Sequence, residues 1–403
     1  MTTPITLTVG TENWSLQLRP ESTVELHRQP VPPPAGSPRE LARTALEQPF
    51  GFDAPLRRAV TPDDRVAIVL DERLPHVADL LSGVIEHLGS AGIPPTAVTV
   101  LVPQGGGQGG WVDELPDEFA DITLEVHDPE ERQKIAYLAT TKAGRRVYLN
   151  RTLVEADCVI VITGRRYDPT YAYAGAEVAI FPTLADPESL VEFVGRFSTD
   201  PPGEKLPGTR REPAEVGKLL SPFYLHVIEG AGDTIQSAVL SLSDGTAEGI
   251  RRQDARWRTT VEDRPDLVVA AVAGPPERTD FHALAAALAT AARVVQPDGR
   301  IVLLTKAAPP LEEGAELLRQ TGDPDKVDKL LHKRKPDDWP AAALWAFAAR
   351  QASLFVASGW PEDVTEELFA TAVESAAEAQ RLIDAAERVL VIPDANKTMV
   401  EIA

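Results

Sequence analysis

Apolar and polar residues alternate from Ile5 to Val9 and again from Trp14 to Leu18, around Gly10, Glu12 and Asn13, which predicts an opening β-hairpin. Residues 29–39 (QPVPPPAGSPR) read as an extended proline-rich connector leading to a helix over 40–47. Asp64 to Asp71 is the first run apolar enough for a strand covered on both faces, as in a parallel sheet. Val77, Leu80, Leu81, Val84, Ile85 and Leu88 then recur at helical spacing, and 98–102 returns to strand, giving a βαβ unit. Strands are predicted at 122–127, 145–150, 223–228 and 238–242, and helices at 188–197 and 245–258.

The stretch 156–182 (ADCVIVITGRRYDPTYAYAGAEVAIFP) stands out, because a continuous apolar run from Cys158 to Ile162 feeds a polar loop. In open α/β sheets, ligands sit beyond the carboxyl ends of strands. Gly164 permits a turn there, Arg165, Arg166 and Asp168 supply charge, and Tyr167, Tyr171 and Tyr173 supply flat polar-tipped surface. Read by periodicity alone, the same residues are equally well a strand and a surface loop.

A composition break near 259–265 opens a second alternation of strands and helices. Its strands are expected at 267–272, 300–305, 353–357 and 388–392, the last ending at Pro393, and its helices at 280–295, 311–320, 326–335, 339–350 and 370–386. The expected fold is α/β with two domains, 1–262 and 263–403, each a mostly parallel sheet flanked by helices, with the ligand in the groove between them.

Composition narrows the partners. A net charge of −21 over 403 residues repels phosphate backbones, so nucleic acid is not expected. No apolar run approaches the roughly 18 residues of a membrane helix, so no membrane is expected either. Cys158 alone excludes an internal disulfide and reads as a packed thiol, which suits a reducing cytoplasm. The loop PQGGGQGG at 103–110 could wrap an anion with backbone NH groups, but it lacks the lysine and spacing of known phosphate loops and reads equally as a turn. Among the histidines, His76 reads as a helix opening, His87 and His332 as surface, and His226 as a strand residue on either face.

Several segments together carry a family resemblance. They are VAIVLDERLP (66–75), LVPQGGGQ (101–108), HDPEERQKIAYL (127–138), RVYLNRTLVEADCVIVITG (146–164), AYAGAEVAIFP (172–182), the long run 223–249, AGPPERTDF (273–281), QPDGRIVLLT (296–305) and RVLVIPDANKT (388–398). In this order they resemble the nickel-pincer nucleotide-dependent lactate racemases. The resemblance implies interconversion of 2-hydroxyacid enantiomers by hydride abstraction and return, on a nickel nucleotide held covalently by a lysine. It also implies a nickel-binding histidine and two acid–base histidines, residue types suited to nickel and to proton exchange near neutral pH.

Carried onto this sequence, most of that set is missing. Asp71 and Pro75 of the family's first turn stand, its arginine is Leu74, and Arg73 lies one place off. One catalytic histidine falls in Gly105, Gly106 and Gly107, the other at Tyr167 and Asp168; the lysine is Val178 and the nickel histidine falls near Val194. The Tyr-Gln pair and following lysine become His282, Ala283 and Ala286.

The first expectation is therefore a divergent racemase-like protein that binds a nucleotide, the pincer cofactor without a covalent bond, or a small hydroxyacid. Asp71, Arg73 and Gly105–Gly107 would hold the cofactor, Arg165, Arg166 and Tyr167 the substrate, and Asp168 and His282 would be catalytic; no metal ligand is expected. A catalytically silent binding or regulatory paralogue, or a different enzyme for a small anionic substrate, are the alternatives. The oligomeric state is not legible.

Overall fold

The computed structural model describes residues 2–27, 31–105, 110–200 and 211–403. The chain forms two compact units. An inserted unit comprises Val31–Gly230 and Thr234–Asp254; a host unit gathers Met1–Pro30, Ala231–Asp233 and Ala255–Ala403. The units therefore do not part at residue 262, and the opening hairpin belongs with the C-terminal strands.

The chain begins with β1 (Thr3–Val9) and β2 (Glu12–Leu18), antiparallel as their alternation requires, followed by the short β3 (Thr23–Val24). One face of the hairpin buries Leu7, Val9, Trp14, Leu16 and Leu18 in a core shared with Leu267, Val269 and Val389. Fully burying a side chain of this kind contributes about 1.5–3 kcal/mol.

The inserted unit carries β4 (Val66–Leu70), β5 (Val98–Val102), β6 (Thr123–Val126), β7 (Ile135–Thr140), β8 (Arg146–Asn150), β9 (Cys158–Gly164), β10 (Arg166–Asp168), β11 (Ala172–Ala174), β12 (Phe223–Glu229) and β13 (Ile235–Ser241). Six of these form one sheet, ordered β13-β12-β9-β4-β5-β6 and parallel except for β13. Every residue of β4 and β9 is buried, as their unbroken apolar runs demand. The helix Pro38–Glu47 starts at a capping box between Ser37 and Glu40, and the helix Val77–Gly89 buries Leu80, Leu81, Val84, Ile85 and Leu88. From β4 the chain steps outward to β5 and β6, then returns to place β9 on the other side of β4. Strand order thus reverses between β4 and β9, the position at which open sheets leave a crevice.

The host unit continues with β14 (Arg258–Val261), β15 (Leu267–Ala271), β16 (Gly299–Leu304), β17 (Ala352–Ala357), β18 (Ala370–Ala372), β19 (Val389–Ile392) and β20 (Met399–Ile402). Its main sheet, β18-β17-β16-β15-β19-β3, is wholly parallel, and β14 pairs with β20. Two expectations change here. Residues 370–386 are not one helix: Ala370–Ala372 is a strand, and the helix Ala376–Asp384 starts only where Ser375 caps it. Nor is β19 the last strand, because β20 follows the loop beyond Pro393. Among the described residues no helix is long and apolar enough to cross a membrane.

One buried histidine makes stability pH-dependent. His127 is 1% exposed; its backbone N donates to Val102 O at 2.8 Å and its Nε2 pairs with Ala185 O at 3.0 Å. Burial holds its pKa below the ordinary value, against the opposing effects of Ala185 O, Glu125 and Asp128. The unfolded chain therefore binds a proton below about pH 6.5 that the fold resists, so stability is full above that pH and declines as pH falls toward the depressed value. His87, expected at the surface, is instead buried, with Nε2 accepting from Arg57 N at 3.0 Å; its pKa is also lowered by burial, so it acts in the same sense. Urea midpoints at pH 7.5 and 5.5 should differ more for the native chain than for His127→Gln; an identical difference would refute this assignment.

Candidate functional site at the strand-order reversal

The carboxyl ends of β4, β9 and β12 bring three charged side chains together. Pairing continues one residue past β4, as Asp71 N donates to Ile162 O at 3.0 Å, and this fixes the Asp71 carboxylate at the crevice. Its Oδ2 accepts from Gly164 N at 3.3 Å and from Arg166 Nη1; its Oδ1 accepts from Arg73 N at 3.1 Å and Arg73 Nε at 3.4 Å. Arg166 Nε donates to Glu229 Oε1 at 2.6 Å, so one guanidinium lies between two carboxylates. A Cβ on Gly164 would stand 2.7 Å from Arg166 Cζ, so that glycine is what lets the guanidinium lie over the strand end.

Burial works against the charge on Asp71, but Arg166, Arg73 and the Gly164 NH outweigh it and hold the carboxyl well below the usual carboxylate range. Burial likewise works against the charge on Arg166, and Asp71 and Glu229 reverse the effect and raise its pKa. Arg73 differs from its neighbours in being 58% exposed at the side chain, tethered to Asp71 at one end. On the adjacent strand end, Gly105 has φ +80°, and no heavy atom of the described residues stands within 4 Å of where a Cβ would lie. Gly106 and Gly107 lie outside the described residues.

The other expected site residues do different work. Arg165, expected to face substrate, is fully buried and donates to the carbonyls of Ala174, Gly175 and Thr246 at 3.1, 3.2 and 3.1 Å, so it is a structural cation. Residues 166–174 are not a loop but the hairpin β10–β11, with Tyr167 opposite Tyr173. Asp168 makes its turn: Oδ1 accepts from Thr170 N at 2.7 Å and Tyr171 N at 2.8 Å. Tyr167 Oη donates to Asp254 Oδ1 at 3.0 Å, and Tyr173 Oη bonds the same carboxylate at 2.9 and 2.8 Å, which ties the hairpin to the helix Thr246–Trp257. His282 is half-buried in the first turn of the helix Phe281–Val294 and belongs to the host unit, whereas Asp168 belongs to the inserted one.

Glu229 and Asp254 were not foreseen. Glu229 is the last residue of the buried strand β12, so the rule that pointed to Gly164 would have reached it; Asp254, on the helix Thr246–Trp257, gives no such signal.

Residues 9–200 match the lactate racemase N-terminal domain. Over 393 residues the chain is 20% identical to the lactate racemase of Thermoanaerobacterium thermosaccharolyticum, covering 90% of this chain and 91% of that protein. The first half of this chain thus matches the lactate racemase N-terminal domain, and nearly its whole length is similar to a lactate racemase. The fold of this lactate racemase-like protein is similar to that of the lactate racemase apoprotein from T. thermosaccharolyticum, with a TM-score of 0.77 at 17% identity, covering 99% of this chain and 100% of that one. It is also similar to a protein of Thermotoga maritima, with a TM-score of 0.65 at 14% identity and coverage of 91% and 99%.

Proposed function

We propose that this racemase-like protein binds a small hydroxyl-bearing anion of the nucleotide type, without a covalent bond, at the carboxyl ends of β4, β5 and β9. The observation that carries the reading is Arg73. It is an exposed guanidinium fixed at the strand-order reversal by a buried carboxylate, and the neighbouring strand β5 leads into the positive-φ Gly105. A guanidinium so placed suits a phosphate or carboxylate, and exposed backbone NH groups suit the same charge.

The covalently held nickel group of the family does not fit the side chains present. The position that the resemblance gives to the linking lysine is Val178, 5% exposed on the short helix Glu177–Ile180, and valine forms no such bond. Val194, at the place of the nickel histidine, has no donor atom. Among the described residues, no group of three or more His, Cys, Asp or Glu side chains is placed to hold a metal ion. Asp168 has one carboxylate oxygen committed to two backbone NH groups, which favours a turn over a base.

The test combines three measurements on the full chain coexpressed with the cofactor-building enzymes. Denaturing intact mass should equal that of the unmodified polypeptide, a nucleoside monophosphate should raise the melting temperature, and Arg73→Met should abolish that rise. A mass adduct, or racemisation of D- or L-lactate with stoichiometric nickel, would overturn the reading.

A further inference from the structure

The host unit has a strand-order reversal of its own, between β15 and β19. The loop after β19 lies across it, with Ala395 N donating to Ala271 O at 2.9 Å. In that loop Asp394 Oδ1 accepts from Gly232 N at 2.8 Å, and Lys397 Nζ donates to Gly232 O at 2.5 Å. Trp257, 1% exposed, has two cations about its ring, Arg256 Cζ at 4.2 Å and Lys397 Nζ at 5.9 Å from the centroid.

Arg256 is the anomaly in this group. It is half-buried, its Nε is sealed from solvent, and among the described residues it has no hydrogen bond or ion pair. Burial lowers its pKa, with the charge of Asp394 opposing. The contact with the indole face replaces only part of a guanidinium's lost hydration. Buried polar groups left unmade are costly, and a planar fork of NH donors matches an oxyanion better than any other small partner.

We infer that Arg256, supported by Lys397, forms an oxyanion-binding site at the reversal between β15 and β19, taking the phosphate or carboxylate group of a small ligand. This site is separate from the one built on Asp71 and Arg73, and stands or falls independently of it.

Calorimetric titration of the full chain at constant ionic strength, with inorganic phosphate and separately with malonate, tests the inference. At least one anion should bind; Arg256→Gln should weaken it about tenfold or more, and Arg256→Lys, which keeps the charge but not the fork, by a smaller factor. The binding event that Arg256→Gln weakens should be unchanged in Arg73→Met, which removes only a separate event at the Asp71 crevice. Preference for phosphate or for malonate identifies the group recognised. The inference is overturned if neither anion binds the native chain, or if both Arg256 variants bind as it does. It is equally overturned if Arg73→Met removes the binding while the Arg256 variants keep it. Circular dichroism on each variant confirms that the fold is retained, and Arg256→Lys stands in should Arg256→Gln not fold.

Discussion

Arg166→Met should destabilise the inserted unit by about 3–5 kcal/mol, because it removes the guanidinium that bridges two buried carboxylates. Asp71 and Glu229 are 11% and 10% exposed at their side chains, so water screens them little. In the native chain the lowered pKa of Asp71 adds stability that is present above the unfolded value near 3.8 and is lost as pH falls below it. In the variant the sign should invert. Crowded carboxylates there take up protons more readily than in the unfolded chain, so its deficit against the native chain should shrink between pH 7 and pH 4.5. Urea unfolding at the two pH values measures both effects, and a deficit below about 1 kcal/mol at pH 7 would show that the pair is not electrostatically buried. Asp71→Asn with Arg166→Met and Glu229→Gln should recover most of the loss, since all three buried charges go together and Arg73, 58% exposed, is left to water.

Gly175→Ala is the second large expected loss, about 3 kcal/mol or more. Gly175 has φ +80°, and an added Cβ would lie 2.4 Å from Gly164 O and 3.0 Å from Thr163 Oγ1. The left-handed backbone alone costs roughly 1–2 kcal/mol. The rest comes from displacing the carbonyl of Gly164, whose own NH holds Asp71. Gly105→Ala supplies the control, since Gly105 shares that φ but has no described residue within 4 Å of an added Cβ, and should cost only the backbone share, about 1–2 kcal/mol. Equal losses for the two variants, measured by thermal unfolding, would mean that the close approach at Gly175 is not rigid.

Strands buried on both faces were the most legible part of the chain. The runs at 66–70 and 158–164 have no polar interruption to place them elsewhere, and family resemblance then extended the fold over both units. Residues 370–386 misled because Ala370–Ala372 and Ala376–Asp384 share small apolar residues that suit either state, and only the cap at Ser375 separates them. At the site, the family resemblance reached Asp71 and the carboxyl-end rule reached Arg166, but that rule could not distinguish Arg165 from Arg166. Adjacent strand residues point to opposite faces, and which face is sealed depends on Thr246 and Ala174, remote in sequence. Asp168 likewise reads as a free carboxylate until the turn it closes is seen.

The interleaved division of the chain also sets an order on synthesis. Every strand of the inserted unit's sheet has been made once residue 254 is complete. The host unit's sheet cannot close until β19, because β3 pairs with that strand and no other. From translation of Leu18 until that of Leu267, the apolar face carrying Leu7, Val9, Trp14, Leu16 and Leu18 has none of its later core partners. A growing chain therefore carries a two-stranded ribbon with one greasy side uncovered for most of its synthesis. That is the interval in which a nascent-chain chaperone or a neighbouring ribosome's product would meet it.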